Sequence, residues 1–170
     1  MKSHRLAMVA IMLLAASACK LDMEQVGSSD TVPIHVVYRD QLCRDDTASI
    51  EPIRDMKSLA DWWQPIARQQ LPAKPLPQSL AALNFSESSV FVVSMGRQSS
   101  AGYDIELHED RAPIQDASLT IPANFNKPSA DMMTAQVMIS PCVVVAVPAK
   151  RYETVAVRDR LGNTLLKVHL

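Results

Sequence analysis

The chain of 170 residues carries 17 basic and 18 acidic side chains and a formal net charge of -1, which lacks the basic surplus that phosphate-backbone binding requires and excludes nucleic acid as a partner. A hydrophobic fraction of 48% excludes intrinsic disorder, while 5% aromatics and 11 prolines predict a β-branched core with well-punctuated turns. The length suits one domain built on one core.

Lys2, His4 and Arg5 form a charged start, and residues 6–16 form an apolar run of about 11 residues, shorter than the roughly 20 needed to span a bilayer. The pattern reads as an export signal, with a transmembrane helix as the alternative. Ser17-Ala18-Cys19 then resembles the lipobox of bacterial lipoproteins, in which the cysteine becomes the lipidated first residue after signal removal; Ala16 stands where the lipobox usually has Leu. This resemblance implies a signal peptide at 1–18, a lipid on Cys19 and a membrane-anchored product of the cell envelope, at the outer membrane facing the periplasm. Each buried methylene of such an anchor contributes about 0.8 kcal/mol. An ordinary secreted or periplasmic product with a free Cys19 is the other reading. Three cysteines are an odd number in an oxidising compartment, and a lipid on Cys19 leaves Cys43 and Cys142 to form a disulfide, two buried free thiols being the alternative. Neither sits in a CxxC or beside a His pair, as a metal site would ask.

Residues 19–32 are polar and aperiodic and contain Gly27-Ser28-Ser29, so they read as a tether, with the domain spanning 33–170. From Ile34 the text IHVVYRDQLCR predicts an extended strand. Residues 56–70 hold the helical candidate, in which Ser58 caps the amino end, Leu59, Trp62, Trp63 and Ile66 recur at helical spacing, and Pro65 limits or kinks the helix. The proline-rich text LPAKPLP at 71–77 is a connection. Residues 90–95 and 143–147 are apolar on both alternating faces and are expected as central strands of a covered sheet. Residues 103–108 alternate, which predicts a strand with one wet face. Further strands are expected around 117–121, 135–139, 154–157 and 164–170, with Leu161-Gly162-Asn163 as the hairpin turn between the last two. The expected architecture is mainly β: an antiparallel β-sandwich or strongly curved sheet with one packed α-helix.

Leu83-Asn84-Phe85-Ser86 leads into Val90-Phe91-Val92-Val93-Ser94-Met95-Gly96 and then Ser99-Ser100-Ala101-Gly102-Tyr103-Asp104-Ile105-Glu106-Leu107, and Ser140-Pro141-Cys142-Val143-Val144-Val145-Ala146-Val147-Pro148 follows. In order and spacing these blocks resemble the PrcB-type domain, the C-terminal domain of a protease-complex subunit. That family has a DFS-like segment, an apolar strand ending in Gly, a TGGY turn and an SPY-VVVAV segment; this chain has Ser-Ala-Gly-Tyr at the turn. The resemblance implies a non-enzymatic envelope lipoprotein that binds or stabilises a protein partner, a protease among the candidates. The Gly-Tyr turn is also similar to the TTGY-type loop of chagasin-like cysteine-protease inhibitors, although no RPW-like second loop is evident, so inhibition is the second reading.

The candidate partner-binding residues are Gln98, Ser99, Ser100, Ala101, Gly102 and Tyr103, as a recognition loop. The competing reading is a structural turn in which Gly102 takes a positive φ and Tyr103 packs inward. Adjacent tryptophans on a helix point about 100° apart, so one of Trp62 and Trp63 enters the core while the other stays partly exposed; core packing is the expectation, and an exposed partner contact at Trp62 or Trp63 the alternative. Asp131-Met132-Met133 reads as a loop of gap-filling methionines or a Met-rich contact. Asp104, Glu106 and His108 share a strand face but have no second cluster of ligands, so a solvated face is expected and no metal or cofactor. Ser99 and Ser100 have His108 and Asp110 nearby in sequence without a G-x-S-x-G elbow, and no catalytic residue is assigned.

Overall fold

The computed structural model describes residues 30–170 apart from 44 and 70; the export signal, Cys19 and the tether through residue 29 lie outside the described residues. The strands are β1 (Asp30–Pro33), β2 (His35–Asp40), β3 (Ala48–Ile53), β4 (Ser88–Met95), β5 (Asp104–Leu107), β6 (Arg111–Gln115), β7 (Ser118–Asn126), β8 (Cys142–Pro148), β9 (Thr154–Arg158) and β10 (Thr164–His169). The helices are α1 (Met56–Ala67) and the single turn α2 (Gln78–Ala81). One sheet runs β1-β6-β7-β9-β10, with β5 paired to the far half of β7, and the other runs β2-β8-β4-β3. All pairings are antiparallel except β7 with β9, which are parallel because β8 crosses to the second sheet between them.

β4 and β8 lie at the centre of the second sheet, as the apolar residues on both their faces predict. Alternate residues face two cores. Phe91, Val93, Val143 and Val145 point between the sheets, where they meet Ile105, Leu119, Ile121, Val155 and Val157. Val90, Val92, Val144 and Ala146 point the other way, onto Leu59, Trp62, Trp63 and Ile66 of α1. A strand covered on both faces has no polar side, which is why its sequence does not alternate.

Asp55, not Ser58, caps α1. The Asp55 carboxylate accepts from the Ser58 N–H at 2.7 Å, and Ser58 Oγ accepts from the Asp55 N–H at 3.0 Å, so Ser58 is the third-position partner of a capping box. Pro65 falls in the last turn and the helix ends two residues later. Both tryptophans are buried, Trp62 at 8% and Trp63 at 5% exposure, which corrects the reading of an exposed partner contact at either. The reason is tertiary: Tyr38 of the edge strand β2 and Lys74 of the 71–77 connection pack against the rings. Tyr38 stands edge-on to both rings, 5.4 Å from Trp63 and 6.3 Å from Trp62. Lys74 lies over Tyr38 and Trp63 at 5.5 and 5.6 Å, bonding the Tyr38 hydroxyl at 3.1 Å and Asp40 at 3.0 Å, and Tyr38 donates to Asp40.

Burial alone would push the Asp40 carboxyl up, but hydrogen bonds from Tyr38, Lys74 and the Leu42 N–H hold it below its ordinary value of 3.8. A depressed carboxyl contributes stability that is present above the unfolded value and is lost as pH falls through the folded one. Asp40→Asn should therefore cost about 1–2 kcal/mol at pH 7 and flatten the loss of stability below pH 3.8. Urea unfolding at pH 7 and pH 3 measures both; an equal deficit at the two values would show that Asp40 acts through packing and not through its charge.

Three strands escape the sequence reading. β1 takes in Asp30, Thr31 and Val32, so strand structure reaches at least three residues ahead of Pro33; the polar text suits an edge strand, and Arg111 ties it by bonds to Thr31 Oγ1 and O at 2.8 and 2.7 Å. β3 (ASIEPI) is also an edge, where Pro52 removes no ladder bond that is needed. β6 joins β7 through Asp116 and Ala117, both at positive φ, a two-residue hairpin turn without the Gly or Asn that marks such turns. Residues 135–139, expected as a strand, form none: only Ile139 pairs, with Gln98. Ala135, Val137 and Ile139 alternate in the text, but their neighbour is a loop and offers no ladder.

Candidate functional site

At the Cys142 end of β8 three connections meet: residues 41–47 after β2, residues 96–103 after β4, and residues 127–141 before β8. The disulfide between Cys43 and Cys142, with Cα atoms 5.9 Å apart, fixes the first of these to the sheet. Gly96, at φ +71°, presses against the same segment, since a Cβ there would lie 2.6 Å from the Thr47 carbonyl carbon. Ser140 Oγ donates to the Asp45 carbonyl at 2.9 Å, and the Arg97 N–H donates to the Asp46 carbonyl at 3.2 Å.

The predicted recognition loop lies against residues 134–139. Gln98 and Ile139 exchange two backbone bonds of 2.8 and 3.0 Å, and the Ala101 N–H donates to Ala135 O at 3.0 Å. Gly102 sits at φ +96°, with room for a Cβ only at 3.0 Å from Pro128, so it meets both reasons for a glycine, a left-handed backbone and a close approach. Tyr103 is half-buried against the inter-sheet core. Gln98 and Ala101 are intermediate, Ser100 is buried, and Ser99 and Gly102 are the loop's exposed positions.

Beside this loop lies a patch that the motifs do not contain. Met132, Met133 and Met138 are 59%, 100% and 54% exposed, so they do not fill gaps in the core. Val137 and Leu42 are exposed with them. A groove of about 350 Å³ opens here, lined by Leu42, Met138, Ile139, Ser140, Gln69, Asp45, Asp46 and Arg97. Gln69 Nε2 donates to the Leu42 carbonyl at 2.8 Å, and Arg97 pairs with Asp46. Burial pushes the Asp45 carboxyl up, the charge of Asp46 adds to this, and a hydrogen bond from Ser94 offsets part of it. Burial and the charge of Asp45 likewise push Glu51 up. Asp131-Met132-Met133 carried the only sequence signal for this surface.

The structure does not bring the other candidates together. Asp104 pairs with Arg39 at 3.3 Å, Glu106 accepts from Asn126 at 3.3 Å, and the His108 ring lies 3.4 Å from the Arg158 carbonyl. Among the described residues no three His, Cys, Asp or Glu side chains form a group that could hold a metal ion. Trp62 and Trp63 are part of the buried core between α1 and the sheet.

The family model described as PrcB C-terminal matches residues 89–148. Over this stretch the chain is similar to the PrcB C-terminal family. The matched stretch runs from the start of β4 to the end of β8, and so contains both central strands, the 98–103 loop and the methionine-bearing segment. PrcB-type domains belong to protease-complex subunits and form an accessory family, not a known catalytic one. No curated protein and no solved structure matches the chain.

Proposed function

We propose that this PrcB-type domain is a non-enzymatic accessory subunit of the bacterial cell envelope, anchored through a lipid on Cys19, that binds a protein partner, a protease, through the connections at the Cys142 end of β8. The observation that carries this reading is the exposed apolar surface of these connections: Leu42 and Met138 line one groove, and Val137 precedes Met138 in the segment bonded to the 98–103 loop, since exposed apolar surface on a folded domain marks an interaction site.

One fractionation experiment tests anchor and contact together. Wild type should sediment with membranes, carry an acylated Cys19 by intact mass, and retain a protease after cross-linking and purification. Cys19→Ser should be released into the soluble fraction. Ser99→Arg, at the exposed position of the loop, should stay folded and anchored but lose the partner. An unmodified thiol at Cys19 in the wild type would remove the anchor, unchanged capture by Ser99→Arg would move the contact elsewhere, and hydrolysis by the purified chain would sink the non-enzymatic reading. Whether the captured protease is activated or inhibited separates assistance from chagasin-like inhibition.

A further inference from the structure

The groove beside the recognition loop is built to take more than a flat contact. Its walls, Leu42, Met138 and Ile139, are apolar, and its floor holds Asp45 and Asp46. Of these two carboxylates only Asp46 has a described ion pair, with Arg97. Asp45, Glu51 and Asp61 line a second hollow that shares Asp45 with the first, and Asp61 is paired at the surface with Lys57. Carboxylates are therefore in excess of the described cations in this region.

The backbone of this segment is also open on one side. Successive residues of an extended chain present their N–H and C=O groups to opposite sides. Ile139 uses both groups on Gln98, and Ser140 uses both on the other side, with Gln41 and Cys43. Met138 precedes them with no described hydrogen bond and is exposed, while the chain before it turns back, the Val137 N–H donating to Ala135 O at 3.0 Å. An extended peptide laid along this segment would complete the ladder and set alternate side chains into the groove, the geometry of strand addition.

Building on the partner-binding reading above, we infer that the groove receives an extended segment of the partner protein that pairs with the backbone at Met138 and inserts a lysine or arginine between Leu42 and Met138, its cation meeting Asp45. The aliphatic stem of such a side chain suits the apolar walls and its charge the floor, and neither an all-apolar nor an acidic side chain satisfies both. The methionines on the rim adapt to the flanking side chains.

The test uses the full mature chain in detergent and three fluorescein-labelled peptides of extended, β-branched sequence, with a central lysine, norleucine or glutamate. Anisotropy should show the lysine peptide binding about tenfold more tightly than the norleucine peptide, and the glutamate peptide weakest. Asp45→Asn should erase the preference for lysine, and Asp45→Lys should transfer it to the glutamate peptide. Met138→Ser, an exposed change that leaves the core untouched, should weaken the lysine peptide; it serves as the second variant should Asp45 prove necessary for folding. Equal binding of the three peptides, or a lysine preference that survives Asp45→Asn and Met138→Ser, overturns the inference. If the partner is still lost from Ser99→Arg in the envelope experiment while the peptides show no charge preference, the groove assignment falls and the partner-binding reading stands; if wild type retains no partner and the peptides show no preference, both fall.

Discussion

Replacing both Cys43 and Cys142 with alanine should lower the unfolding free energy by about 3–5 kcal/mol. The bridge joins residues 99 apart in sequence, and closing a loop of about 100 residues removes unfolded-chain entropy equivalent to roughly 4.7 kcal/mol at 25 °C. The folded state adds to this. Cys142 opens β8 between Asp40 of β2 and Ser94 of β4, and Cys43 lies in the segment that forms one wall of the groove, so the bridge anchors that segment to the centre of the sheet. Both sulfurs are buried, and two alanines would leave a small void as well as a free loop. Urea unfolding of wild type with and without reductant, and of the double variant, measures the effect. A loss below about 1 kcal/mol, less than an ordinary disulfide supplies, would show that the 41–47 segment is held without it. Peptide mapping that finds both thiols free in the exported protein would remove the bridge altogether.

Gly96→Ala should cost about 3 kcal/mol or more, in the range that backbone strain combined with a steric clash produces. At φ +71° an alanine is already strained, and its Cβ would lie 2.6 Å from the Thr47 carbonyl carbon and 2.7 Å from the Ala48 nitrogen. Neither is the end of a flexible side chain. Ala48 is paired to Met95 at the end of the β3–β4 ladder, so relief requires the two strands to part. Gly162 is the internal control: its φ is +82° but nothing lies within 4 Å of the added Cβ. Gly162→Ala should then cost only the left-handed backbone term, about 1–2 kcal/mol. Thermal unfolding of the two variants side by side separates clash from strain, and equal losses would contradict the close packing of Gly96 on the 41–47 segment. Because that segment forms the groove, Gly96→Ala should also weaken partner capture, whereas Gly162→Ala should not.

What the sequence determined by itself came from local rules. The apolar text of 90–95 and 143–147 identifies β4 and β8 as strands covered on both faces, because only a covered strand can lack a polar side. Leu59, Trp62, Trp63 and Ile66 announce α1 by their 3.6-residue period, and Leu161-Gly162-Asn163 announces the last hairpin by its turn chemistry. The cysteine count selected the Cys43–Cys142 pairing, and the order of the motif blocks selected the family that the match at 89–148 bears out.

Only the tertiary structure decided the rest, in each case because the deciding partner is far away in the chain. β1, β3 and β6 carry Pro, Glu and Arg that no propensity favours, and exist because β6, β4 and β7 respectively supply their ladders. Residues 135–139 alternate like a strand and are not one, because the neighbour that a strand requires is a loop. Trp62 and Trp63 are both buried because Lys74, Tyr38 and the 71–77 connection close over α1 from outside its own sequence. The candidate site follows the same rule: Leu42, Asp45, Arg97 and Met138 share no motif, and become one groove only where a disulfide, a glycine contact and a two-bond bridge draw three separate connections to the end of one strand.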